Sequence, residues 1–236
     1  MGNSSSIQKF QDDPNLLTNL QSLSKDELFS IAIHLDLPDL ISLCRLSKNI
    51  NNKVCERDEI WLYKLQKEYP EYEKENKSFR DIYLSFYNLN VLKNKLRLSD
   101  TVYQLKKRKH LDFGANNLRE VPKEIGALPN LEYLDLRGNN LRTLPKEIGQ
   151  LKKLRWLYLD NNKLKYIPKE IGDLKNLKVL SITNNRLKEF PNILHLNLDE
   201  LFLVGSGRYT FPENFRAYAR KLKNTDLKGI NFLYYL

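Results

Sequence analysis

The sequence predicts an α+β protein, with a helical N-terminal half followed by a short solenoid whose coils lay down a parallel sheet on their concave side. Three observations predict it. The phrase PKEIG recurs at 122–126, 145–149 and 168–172, and apolar residues fall at helical spacing through 23–65. Charge divides the chain as well: residues 1–64 carry 7 basic and 9 acidic side chains, whereas residues 108–236 carry 23 and 14. With 236 residues, 41% of them hydrophobic, 13 Tyr and 10 Phe, the chain has the material for one large or two small cores. An 18-residue apolar run is absent, and the N-terminus lacks a secretory layout, so neither spanning nor export is indicated. The two cysteines, Cys44 and Cys55, offer no disulfide framework and no metal-binding spacing, which fits a reducing, cytoplasmic setting.

Residues 1–18 read as a flexible tail. Their start, MGNSSS, fits the N-myristoylation pattern M-G-x-x-x-[ST], with Gly2 exposed once Met1 is removed and Ser6 in place. The alternative is an ordinary polar tail. A single myristoyl chain binds membrane with an affinity of only about 10⁴ M⁻¹, so anchoring needs a second contact such as basic residues against an anionic leaflet.

Residues 19–65 predict four short helices. Ser24 and Glu27 form a capping box, and Leu28, Ile31, Ala32 and Leu35 follow at helical spacing, with an end near Asp36. Pro38 suits the first turn of a second helix carrying Leu40, Leu43 and Cys44; Ile50 and Val54 mark a third, and Ile60 with Trp61 a fourth. The order Leu23, Asp26, Ile31, Leu35, LDLPDLISLCRLSK and Trp61 resembles an F-box, the module that docks on the Skp-type adaptor of cullin-RING ubiquitin ligases. It is also similar to F-box proteins of large DNA viruses of protists, in which case the ligase belongs to the host. The resemblance implies adaptor contacts from Leu23, Ile31, Leu35, Pro38, Leu40 and Leu43. Ser24 and Glu27 depart from the family, where Pro and an apolar residue are usual. The competing reading is a helical cap that seals the repeats. Residues 66–107, a charged loop and then a helix with Ile82, Phe86 and Leu89, read as a linker.

Residues 108–212 contain tandem 23-residue units such as LEYLDLRGNNLRTLPKEIGQLKK and LRWLYLDNNKLKYIPKEIGDLKN. Their L-x-x-L-x-L-x-x-N-x-L pattern resembles the intracellular leucine-rich repeat proteins. In each unit Leu134 and Leu136, or their equivalents, alternate inward as a short strand does. Asn116, Asn139, Asn162 and Asn185 occupy the ninth position, where a bending chain needs side-chain partners for buried backbone groups, and predict an asparagine ladder. PKEIG is the convex return, in which Pro removes a donor and Ile148 and Leu151 turn back to the core around Gly149. The terminal units are atypical: Arg108 replaces the first Leu, and Ser206 and Arg208 stand where Asn and Leu are usual. Residues 213–236, with Phe215, Tyr218 and Leu222 at helical spacing, predict a C-terminal cap.

The outward strand positions read His110, Tyr133, Trp156, Val179, Glu200; then Asp112, Asp135, Tyr158, Ser181, Phe202; then Gly114, Arg137, Asp160, Thr183, Val204. Aromatics beside Arg and Asp resemble interface anchors, so Tyr133, Asp135, Arg137, Trp156, Tyr158 and Phe202 are the candidate target-binding residues. The plainer alternative is that these aromatics favour strands and cover one another. Arg119, Arg142, Lys165 and Lys188 repeat in register, a row either simply solvated or met by an acidic partner. No catalytic site, metal or cofactor is indicated: a phosphate-binding glycine loop is missing, and His34, His110 and His195 lack ligand spacing. Bacterial ligases that join repeats to a catalytic cysteine domain fit poorly, because both cysteines fall inside the F-box pattern. The expected function is therefore that of a non-enzymatic substrate receptor of an SCF-type ubiquitin ligase, with the repeats choosing the target. The alternative is a lipid-anchored repeat scaffold without a ligase. Nucleic acid is not an expected partner, since acidic residues interrupt the basic half.

Overall fold

The computed structural model describes residues 14–189, 193–207, 211 and 214–226. Gly2 with its acylation motif, most of the tail 1–18, Arg208 and the end of the C-terminal segment lie outside the described residues. The chain divides into two compact units, Met1–Tyr87 and Asn88–Leu236. That boundary falls earlier than the start of the repeats at 108, because the end of the linker helix belongs to the second unit's core.

The first unit is helical: α1 (Pro14–Ser22), α2 (Lys25–Ala32), α3 (Leu37–Arg45), α4 (Lys48–Val54), α5 (Asp58–Glu68) and the first half of α6 (Phe79–Leu96). Helix α1 begins inside the segment expected to be a tail. The Ser24–Glu27 capping box forms as expected, while Asp36 and Ser47 cap α3 and α4 through their side-chain oxygens. Helix α2 ends at Ala32, earlier than expected, and Asp36 starts the next helix instead. Leu28, Leu40, Leu43, Ile50, Val54, Ile60, Trp61 and Leu65 form the core, with Tyr83 and Phe86 from α6 fully buried. Trp61 donates its indole Nε1–H to the Cys55 carbonyl at 2.8 Å, so the ring is a structural plug. Lys64, although charged, is buried; its ammonium donates to the Leu35 carbonyl at 2.7 Å and to Glu68 at 3.2 Å. Glu68 also accepts from the Tyr83 hydroxyl at 2.8 Å, and burial together with that carboxylate pushes the Tyr83 phenol far above its ordinary value. Cys44 and Cys55 are neighbours in the first unit, with Cα atoms 6.1 Å apart.

In the second unit, α7 (Val102–Lys107), with a Thr101–Gln104 capping box that the sequence reading passed over, precedes six parallel strands in sequential order. These are β1 (His110–Asp112), β2 (Tyr133–Asp135), β3 (Trp156–Tyr158), β4 (Val179–Ser181), β5 (Glu200–Phe202) and β6 (Asn224–Thr225). Pairing is in strict repeat register, His110 against Tyr133, Trp156, Val179 and Glu200 in turn. Each PKEIG opens a short 3-10 turn, Lys123–Ala127, Lys146–Gln150 and Lys169–Asp173. The glycine there serves close approach. A Cβ on Gly126 would lie 2.7 Å from the Glu147 carbonyl, and one on Gly149 would lie 2.5 Å from that of Glu170, so any larger residue would push successive coils apart.

Leucine and isoleucine rows from all coils fill one continuous core. Position eight of every unit adopts the left-handed conformation, with φ of 55° at Ala115, 66° at Gly138, 56° at Asn161, 52° at Asn184 and 72° at Gly205. Gly and Asn tolerate that region best, which explains their density before the ladder. The ladder forms at three of its four expected positions. Asn162 accepts from Leu141 N–H at 3.0 Å and donates to the Leu136 carbonyl at 2.8 Å, and Asn139 and Asn185 repeat the pattern. Asn116, at the solenoid start, is exposed and bonds only the Gly114 carbonyl. Ser206, in the ninth position of the last unit, keeps half the function by donating to the buried Ile182 carbonyl at 2.6 Å. At the C-terminal end, α8 (Phe215–Ala219) buries Phe215, and the Asp226 carboxylate accepts from Leu203 and Val204 N–H at 2.9 and 2.6 Å. These backbone donors are thereby satisfied at the solenoid's end.

Candidate functional site

The strict register turns repeat positions into columns across the sheet, and the concave columns hold the candidate residues. Tyr133 and Trp156 are cross-strand neighbours on β2 and β3, and Asp135 is paired with Tyr158. Around them a compact polar and aromatic cluster assembles. Arg137 clasps Asp135: its Nε donates to both carboxylate oxygens at 3.0 and 2.8 Å, its backbone N–H donates to Oδ1 at 2.9 Å, and a terminal guanidinium nitrogen completes the ion pair. The guanidinium carbon lies 5.0 Å from the centroid of the Tyr158 ring, a cation–π contact. Tyr133 and Tyr158 pack tilted with centroids 5.5 Å apart, and His110 extends the line with its ring 5.9 Å from Tyr133.

Electrostatics follow from this packing. Burial raises the Asp135 carboxyl, but hydrogen bonds from the Arg137 side chain and backbone, with the positive charge, outweigh it and hold the group below the ordinary aspartate range. The same bonds raise Arg137 further above its already high value. Burial, and next the Asp135 charge, raises the Tyr133 phenol; burial, and next Glu200, raises that of Tyr158. Both tyrosines are therefore neutral donors at physiological pH, and Arg137 is a fixed cation.

The predicted target-binding residues are thus not equivalent. Tyr133, Asp135, Arg137 and Tyr158 come together, and Trp156 adjoins Tyr133, its ring covered by the Arg155 guanidinium at 4.7 Å. Phe202 stands apart, with the small, buried Ser181 between it and Tyr158 in register. Asp135 is only 2% exposed and belongs to the cluster's foundation, holding Arg137 in place. The sequence reading missed Asp160, also buried, whose carboxylate accepts from Thr183 N–H at 2.9 Å and from the hydroxyls of Ser181 and Thr183. Its signal was available: Asp135 and Asp160 sit where two adjacent units place carboxylates two residues apart in the repeat, facing backbone donors that a strand ending so early leaves open.

Of the residues that the sequence predicts for adaptor docking, Ile31 is 39% exposed and Pro38 is exposed, Leu23 and Leu35 are half-buried, and Leu40 and Leu43 are buried in the first unit's own core. Only the first four have surface to offer. No group of metal-ligating side chains and no helix long and apolar enough to cross a membrane occurs among the described residues.

Comparison with known proteins bears on the second unit. The family model for a leucine-rich repeat region matches residues 83–201. Among solved structures, a leucine-rich repeat protein of Leptospira interrogans is 33% identical over 51% of this chain and 38% of that one, with a TM-score of 0.37. The PEPR1–AtPEP1 complex shows 32% identity over 49% of this chain and 17% of that one, TM-score 0.44, and a TDR receptor 28% over 49% and 22%, TM-score 0.42. The match thus spans well under half the length of each of these structures. Among curated proteins none matches the chain.

Proposed function

Since this chain belongs to the leucine-rich repeat proteins and its repeats form a protein-interaction scaffold, we propose that it is a substrate receptor of an SCF-type cullin-RING ubiquitin ligase. The concave cluster centred on Arg137, Tyr133, Tyr158 and Trp156 captures a protein target, and the helical unit docks the Skp-type adaptor through Ile31 and Pro38 with the flanks of Leu23 and Leu35. The chain itself carries no chemistry and works in the cytoplasm. The observation that carries the target-binding half is the Asp135–Arg137–Tyr158 stack. A guanidinium held by a carboxylate and lying over an aromatic ring presents a preorganised anchor, and Arg, Tyr and Trp are the residue types enriched at interface hot spots.

The adaptor half is supported by the order of short capped helices and by an apolar residue, Ile31, left exposed on α2 beside a filled core. Capture of a recombinant Skp-type adaptor by the full chain tests it. Ile31→Asp abolishes capture with the thermal transition unchanged, whereas Leu40→Asp unfolds the first unit and is uninformative about docking. A wild-type protein that retains no Skp-type adaptor removes the ligase reading and leaves the repeat scaffold.

A further inference from the structure

One flank of the solenoid carries a feature that neither the fold nor the concave site uses. Positions ten and twelve of four successive units bracket the leucine at position eleven, buried in all but the first of them, and they read Asn117 and Arg119, Asn140 and Arg142, Lys163 and Lys165, Arg186 and Lys188. Among the described residues these six cations make no ion pair. Successive coils stand about 4.8 Å apart, so the register stacks like charges in a row, an arrangement that opposes folding. Leucine, asparagine and glycine recur in these units because buried contacts require them; the recurring cation at position twelve has no such reason.

The row is not flat. Asn117, Arg119, Asn140, Arg142 and Lys163 line a pocket of about 520 Å³, a volume in the range of small-ligand sites. Its charged lining is wholly basic. Asn140 Nδ2 donates to Asn117 Oδ1 at 2.5 Å, which leaves Asn117 Nδ2 and Asn140 Oδ1 without partners among the described residues. The site thus offers two guanidinium forks, one ammonium and an amide donor to anionic oxygens, with one amide acceptor for a hydroxyl. Three coils span only about 10 Å, and three cations within that reach match two phosphate groups, each near −1.5 to −2, better than two carboxylates. With no aromatic ring in the lining, a nucleobase has nothing to stack on.

We infer that this flank is a binding site for a multiply phosphorylated polyol, with one phosphate in the pocket between Arg119, Arg142 and Lys163 and a second along the row toward Lys165. The inference stands independently of the ligase reading. Such a group reaches the site either as a soluble molecule or as a lipid headgroup.

Isothermal titration of the full chain separates these sources. Inorganic tripolyphosphate and soluble inositol 1,4,5-trisphosphate are titrated first, followed by phosphatidylcholine vesicles with and without phosphatidylinositol 4,5-bisphosphate. Wild type binds tripolyphosphate, Arg142→Gln lowers that affinity roughly tenfold or more through loss of a bidentate contact, and Lys146→Gln on the convex turn leaves it unchanged. Equal binding of trisphosphate and bisphosphate-containing vesicles identifies a soluble ligand; much tighter binding of the vesicles identifies a membrane headgroup. The inference is overturned if tripolyphosphate does not bind or if Arg142→Gln binds as wild type. It is equally overturned if a polyglutamate peptide matches tripolyphosphate per charge with the same Arg142 dependence, which assigns the flank to an acidic protein.

Discussion

Asn162→Ala is the perturbation whose cost the structure specifies best. The side chain is 6% exposed and its three shortest hydrogen bonds all serve backbone groups, accepting from Leu141 N–H at 3.0 Å and donating to the carbonyls of Leu136 and Leu159 at 2.8 and 3.0 Å. Its removal does not orphan all three. The Leu136 carbonyl still accepts from Asn139 at 3.0 Å and the Leu159 carbonyl from Asn185 at 3.0 Å, so only the Leu141 donor loses its sole partner. An unsatisfied buried donor costs about 1–3 kcal/mol and each lost secondary bond about 0.5–1.5, which together give roughly 4 kcal/mol. With a urea m-value of about 2 kcal/mol/M, the unfolding midpoint of the repeat unit falls by roughly 2 M. Asn116→Ala is the matched control. The side chain is exposed and donates only to the Gly114 carbonyl at 3.0 Å, so its loss costs no more than about 0.5 kcal/mol. Urea titrations of the two variants, followed by far-ultraviolet circular dichroism, provide the comparison. Equal losses at the two positions would refute the reasoning, because sequence alone makes them equivalent and only the preceding coil distinguishes them.

Acid provides a second test. The folded Asp135 carboxyl lies below its ordinary value of about 3.9, so its contribution is complete above that pH and is lost only as pH falls through the depressed folded value. The tyrosine near-ultraviolet signal of the cluster therefore persists below pH 3.9 in wild type, and Asp135→Asn removes that acid step; a wild-type step at the ordinary value counts against the clasp. Gly2→Ala moves the protein from membrane to soluble fractions when it is expressed in a eukaryotic host, and an unmodified Gly2 by mass spectrometry rules the lipid out. Trp156→Ala with Tyr158→Ala costs more than about 2 kcal/mol of target binding, whereas Lys146→Ala costs under about 0.5. Because Tyr158 also packs on Tyr133 and Arg137, the double variant loses about 1 kcal/mol of stability as well. Normal binding by that variant moves recognition off the concave face.

Periodicity made the solenoid legible. A 23-residue period with fixed Leu, Asn and Pro positions specifies inward rows, strand register and coil order, and each of these is found. What periodicity could not convey is the difference between the ends and the middle. Asn116 and Asn162 occupy the same position in their units, yet one has a coil before it and the other does not. Sequence alone suggests backbone freedom as the reason for the glycine of PKEIG, whereas at Gly126 and Gly149 its role is to let the next coil come close, a fact that exists only between units. In the helical unit, helical spacing identified Leu28, Ile31, Ala32 and Leu35 as one face, but Ile31 points outward while Leu28 and Ala32 are buried. Three-residue and four-residue spacings both fit an eight-residue helix, and the neighbours alone choose the buried stripe.

The concave cluster shows why a face identified from alternation still needs coordinates. Alternation says that Asp135 and Arg137 leave the core, and it treats them as two free charges. In the folded chain the strand ends at Asp135, the backbone N–H of Arg137 turns back to that carboxylate, and the guanidinium follows. One charge is thereby spent on positioning the other. On the reading proposed above, a partner meets a cation lying over Tyr158 with its counter-ion already in place, so an incoming carboxylate competes with Asp135 for the guanidinium instead of finding it open. Planar and aromatic groups face no competing carboxylate, because what they meet on Tyr133, Trp156 and Tyr158 is half-buried ring surface and not an ion pair. If this face is the target site proposed above, the arrangement selects first for aromatic or aliphatic side chains on the target and only second for charge, the reverse of the order that the residue types alone suggest.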